Sequence, residues 1–244
     1  MIALLLQGRK RLLAMSVVLA PVLAGLLSTS FYPKASESFR DSDYAKHTYK
    51  SFAALPAAKQ AIDADNIDYD LLNASIFFAT NRQRVLNNRK VLQFSPEGRD
   101  AAKLQSQQMV TYNFFAHQNP KNAALRTLKD RLKSVAGTKE FLSAGENLAE
   151  YFLLDYVAKE TYSIEYQGSK KVFIRSKTGK EIKPHTYVSF GEAIVADWMT
   201  SPGHRANILE AAFTHLGCGT LLSTKPDAFP KAKATQVFCT PKTN

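Results

Sequence analysis

The sequence predicts an α+β fold, with helices first and strands last. Periodic helical stretches open the patterned part of the chain, two strand candidates close it, and no internal repeat is visible. The composition suits one such domain: 244 residues, 45% hydrophobic and 22% charged, with 11 Gly, 10 Pro and 2 Cys. These proportions exclude disordered, collagen-like and disulfide-scaffold chains. A mean hydropathy of −0.22 excludes a polytopic membrane protein.

Residues 12–27 carry no charge and follow the basic Arg9-Lys10-Arg11. A basic flank before an apolar run is an export signal. Ser28-Thr29-Ser30 places small residues for cleavage after Ser30; uncleaved, the run would serve as a membrane tether. Either way the rest of the chain is expected outside the cytoplasm: secreted, periplasmic or anchored and facing outward. Residues 1–30 are therefore a signal peptide or membrane anchor. Residues 31–69 read as a linker or N-terminal extension, helix-prone only over 54–64.

The main domain occupies 70–244. Leu71–Asn87 is a helix candidate, with Leu72, Ile76, Phe77 and Phe78 on its apolar side. Ser95-Pro96 starts the next helix, cap followed by first-turn proline, running to about Asn113. An exit loop carrying His117 closes at Pro120, and a short helix spans about Leu125–Ser134. Tyr162–Tyr166 and Lys171–Arg175 form a hairpin. Phe190–Thr200 is helical, with Ile194, Val195, Trp198 and Met199 on one face, and stops at Ser201-Pro202. Leu216–Leu222 and Thr235–Thr240 are the closing strands.

Cys218 and Cys239 fall one in each closing strand. In an exported protein two cysteines invite a disulfide, the alternative being two buried thiols. The net charge of +11 favours anionic partners. Its cations are spread along the chain without a basic helical stripe, so nucleic acid is not expected.

Three polar residues stand where regular patterns break: His117 after an aromatic run, Glu146 after Gly145, and His204 after Ser201-Pro202-Gly203. None sits in the spacing of a zincin, zinc finger or EF-hand. The strings around them are more telling. Asn81-x-x-Arg84, FFAHQNP (114–120), GENLA (145–149), ADWMTSPGHRANIL (196–209), HLGCGTL (215–221) and TQVF (235–238) occur in that order. Together they resemble the CAP superfamily of cysteine-rich secretory, antigen 5 and pathogenesis-related proteins, in its bacterial SCP-like form. The resemblance covers about 70–244, interrupted by an insertion at about 154–188.

It implies a three-layer α-β-α sandwich of the CAP/SCP type, with a small antiparallel sheet and a hairpin insertion. It also implies a cleft lined by His117, His204 and Glu146, in which family members often hold a divalent metal, frequently zinc. The family's second glutamate is Ser201 here, so the set is incomplete. Asp197 is the nearest acidic substitute on the same helical face, and Glu192 points away. His47 reads as a surface residue and His215 as structural, and His185 belongs to the insertion and has no family counterpart.

Three functions follow as expectations. The first is a binding module whose cleft receives a small ligand, lipid or cell-wall component. The second is a metal-dependent hydrolase or peptidase with Glu146 as base, against which stands the lack of a recognisable nucleophile. The third is an adhesive role for the basic surface and hairpin. The balance leans against an enzyme.

Overall fold

The computed structural model describes residues 39–157, 159–168, 170–223 and 229–242. The export segment 12–27, its cleavage site and the first residues of the extension lie outside the described residues. The described residues belong to one compact unit. Among the described residues no helix is long and apolar enough to cross a membrane.

The N-terminal extension is not a loose linker. Helix α1 (Tyr49–Ala54) starts at Thr48, whose hydroxyl accepts from the Ser51 amide while the Ser51 hydroxyl accepts from the Thr48 amide, a reciprocal cap. It buries Phe52 in a stack on Phe78, with ring centroids 4.6 Å apart. Phe39, Ala58 and Ile62 join the same core. This explains helix α2 (Tyr69–Leu86), capped by Asp68. Every residue of α2 from Leu71 to Asn81 is buried, so it lacks the single apolar stripe of a surface helix.

Strand β1 (Gln93–Phe94) leads into helix α3 (Pro96–Thr111), capped by Ser95 with Pro96 in the first turn. Helix α4 (Leu128–Ala136) has a Thr127/Asp130 capping box and ends at Gly137, whose φ is 61°. Strand β2 (Phe141–Phe152) follows, an element the sequence reading left unassigned. The insertion is the expected hairpin, β3 (Tyr162–Gln167) with β4 (Lys170–Arg175). It rests on a small core of Leu154, Phe173, Ile182 and Phe229. Helix α5 (Tyr187–Thr200) follows. Ser201 then starts a further helix, α6 (Pro202–Leu209), with Pro202 in its first turn. Strands β5 (His215–Leu222) and β6 (Lys231–Pro241) close the domain.

The main sheet runs β1-β5-β6-β2. Only the β1–β5 pair is parallel. One face packs α2, α5 and α6 against Leu216, Ala234 and Phe238. The other packs α3 and α4 through Ala101, Ala102 and Leu132 onto Val237. The α+β class and α-β-α layering thus stand as expected.

The expected disulfide is corrected by strand register. Cys218 pairs with Gln236 and Cys239 with His215, which sets the cysteines three positions apart along neighbouring strands. An odd offset turns them to opposite faces of the sheet. Cys218 lies in the α2-side core, whereas the Cys239 thiol donates to Ser95 at the start of α3. Both are free and buried, and burial pushes the Cys239 pKa up to about 11.

Candidate functional site

Strand β2 is the outer edge of the sheet, and the site is built around it. Alternation sends Gly145 and Asn147 to one face and Glu146 to the other. A Cβ on Gly145 would lie 2.8 Å from the Phe213 ring and 3.1 Å from Asn207 Oδ1. Glycine is therefore what lets α6 and the following loop close on the strand. Asn207 Nδ2 donates to the Glu146 carbonyl (3.1 Å) and to Asn147 Oδ1 (2.9 Å). Asn147 Nδ2 donates to the His204 carbonyl at 3.1 Å.

On the opposite face the Glu146 carboxylate is committed through both oxygens. Oε1 meets His117 Nδ1 at 2.9 Å, and Oε2 accepts from Arg131 Nη2 at 2.6 Å. The Glu146 side chain is 4% exposed and that of Arg131 is 0% exposed, whereas that of His117 is 59% exposed. A buried carboxylate needs such a partner. An ionised carboxylate only accepts, so His117 Nδ1 must carry the proton, which leaves Nε2 for a ligand.

Arg131 also donates through Nη1 to the carbonyls of His117, Leu125 and Arg126 at 3.2–3.3 Å. Sequence reasoning missed it, although a signal was present. Leu128, Leu132 and Val135 mark the inner stripe of α4, and position 131 falls within that stripe.

The hydrogen bond to Glu146 raises the His117 pKa above the ordinary histidine value. His204 is lowered, first by burial and then by the charge of His117, with Asp197 opposing. The two histidines therefore sense each other across the edge of β2. Between the two pKa values the site holds one imidazolium and one neutral imidazole. Asp197 is exposed at the rim, and its charge reaches both His204 and Tyr151. Of the sequence-predicted residues, His117 and Glu146 are joined by a hydrogen bond, and His204 is tied to the neighbouring Asn147 through its backbone carbonyl. Glu192 instead pairs with Arg82 at 3.5 Å.

His117 should titrate accordingly. Its bond to Glu146 stabilises the fold fully below about pH 6.5, the ordinary histidine value. That stabilisation is lost as pH rises through the raised folded-state pKa. In Glu146→Gln the His117 pKa, read by NMR, is expected to fall toward the ordinary value. A pKa that stayed raised would contradict the assignment.

The donor set does not fit a tightly held metal. Among the described residues no group of three or more His, Cys, Asp or Glu side chains converges as a metal site. Glu146 is spent on Arg131 and His117, which leaves two imidazoles where zinc sites draw on three or four protein ligands.

The model of the cysteine-rich secretory protein (CAP) family matches residues 77–238. The chain belongs to this family. Among relatives, the chain is 29% identical over 140 residues to the uncharacterized protein YkwD of Bacillus subtilis, covering 57% of this chain and 38% of YkwD. It is equally 29% identical over 140 residues to the uncharacterized membrane protein YlbC of the same organism, covering 57% of this chain and 29% of YlbC. The chain thus spans well under half the length of either relative. A solved extracellular protein containing an SCP domain from Bacillus anthracis is 25% identical, with a TM-score of 0.47, over 71% of this chain and 42% of that one.

Proposed function

We propose that this CAP domain is an exported binding module whose cleft takes an anionic small ligand or the acidic group of an envelope lipid or wall polymer. The observation that carries this reading is the double commitment of the Glu146 carboxylate to Arg131 and His117. Arg131 offsets the charge of Glu146, so a protonated His117 adds a positive charge on that face of β2. Glu146 orients His117 and is not free to act as a base. Export rests on the basic and apolar run of residues 9–27.

The hydrolase reading keeps one support. A carboxylate-oriented imidazole with a free Nε2 is the geometry of a general base. Here that base would be His117, a change from the role first expected of Glu146.

The test uses residues 31–244, titrated calorimetrically with zinc, with anionic and neutral lipid vesicles, and with acidic wall fragments, beside His117→Ala and His204→Ala. The expected result is saturable binding of one anionic class, weakened at least about tenfold in both variants, and zinc that does not survive gel filtration. Stoichiometric zinc retained by the wild type and lost in both variants would replace this reading with the hydrolase.

A further inference from the structure

We infer that β6, the inner strand beside β2, sets the placement of both histidines, with Lys233 and Gln236 as positioning residues on its two faces. Lys233 is buried on the α3 side. Its ammonium donates to the Met109 carbonyl in the last turn of α3 and to the Phe114 carbonyl beyond it, each at 2.9 Å. The Met109 carbonyl also accepts from the Phe114 amide at 3.1 Å, so the ammonium adds to a backbone turn at the end of a helix, the end that favours a cation.

The loop that follows carries His117, and buried side chains hold it repeatedly. Lys233 holds Phe114, Gln105 Nε2 donates to the Ala116 carbonyl at 2.7 Å, and Arg131 holds the carbonyl of His117 itself. A buried ammonium is costly, and methionine would fill the same volume without that cost. Fixing the loop is what the cation adds. Gln105 and Arg131 come from helices, so the loop is referenced to the sheet by Glu146 on β2, which holds the His117 ring, and by Lys233 on β6, which holds the backbone ahead of it.

Gln236 works on the α2 side. Its Nε2 donates to Thr80 Oγ1 at 2.6 Å, and Thr80 in turn donates to the Ile76 carbonyl at 2.7 Å. Its Oε1 accepts from Asn147 Nδ2 at 3.1 Å, the same amide that donates to the His204 carbonyl. Thr80, Asn147 and Gln236 are all fully buried. Every donor in this chain is assigned without conflict, so the amide of Asn147 has one orientation and the backbone at His204 one seat. Residues 233 and 236 differ by an odd number and face opposite sides. One strand therefore references His117 and His204 from the two layers that meet at the edge of β2.

This inference uses the cleft reading only for its effect on ligand binding. The positioning itself is measured on ligand-free protein, so failure of either is separately visible. Residues 31–244 contain all five histidines. In side-chain-labelled protein, Lys233→Met is expected to shift or broaden the His117 ring signal and leave His204 in place. Gln236→Leu is expected to do the reverse. His47, His185 and His215 are internal controls.

Lys233→Arg retains a cation of similar reach and should return the His117 signal most of the way to its wild-type position. Should Lys233→Met not fold, Lys233→Gln and Gln236→Met decide the matter: each must displace only its own histidine. Unchanged His117 and His204 signals in folded variants would overturn the inference, as would all five moving together.

Discussion

Replacing Arg131 with methionine is expected to destabilise the domain by about 3–5 kcal/mol, the usual cost of leaving one member of a buried ion pair without its partner. For a domain of this size that lowers Tm by roughly 10 °C. The cause is specific. Only 4% of the Glu146 side chain reaches solvent, and the guanidinium is the partner bonded to it that keeps its positive charge at every pH of interest. His117 cannot compensate above its own pKa. Replacing Glu146 with leucine in the Arg131→Met background removes the stranded carboxylate. The double variant should therefore be markedly more stable than the sum of the single losses predicts.

Ligand binding should not recover with stability, because the carbonyls of His117, Leu125 and Arg126 have also lost their shared donor. Thermal unfolding of the two singles and the double, beside the ligand titration, measures both. Strict additivity of the losses would mean that the charges are not coupled.

The same residue shows where sequence reading stops. The class, the order of α2, α3, α5, β5 and β6, and the hairpin insertion were legible because each rests on local periodicity or a cap. His117 and His204 were legible through the strings around them. Arg131 breaks a local pattern, and the reason for the break lies fifteen positions away, across a tertiary contact with Glu146. Strand β2 was hidden because Gly145, Glu146 and Asn147 are poor strand formers. They sit in a strand because β6 pairs with them and because each has a packing or bonding task. Pro202 was read as a stop, and it both ends α5 and opens α6. The disulfide failed on strand register, which a sequence does not state.

The glycines of the 215–221 string had no local explanation either, and they support the other large prediction. A Cβ on Gly217 would lie 1.8 Å from the Arg99 amide nitrogen and 2.2 Å from the Gly98 carbonyl carbon. Those are backbone atoms of α3, so no side chain can swing aside. Gly217→Ala must lift α3 from β5, at a cost of about 3 kcal/mol or more, the upper range of overpacking.

The consequence reaches His117, since α3 delivers the loop that carries it. A displaced α3 loosens the 2.9 Å contact with Glu146, and the His117 pKa should relax toward the ordinary histidine value. Gly203→Ala is the matched control. Nothing lies within 4 Å of its added methyl group, and in the first turn of α6 alanine should be neutral or stabilise by up to about 1 kcal/mol. Denaturant unfolding and histidine NMR of the two variants test this together. Gly217→Ala within about 0.5 kcal/mol of wild type, with His117 unmoved, would mean that the close approach of α3 to β5 is not what seats the His117 loop.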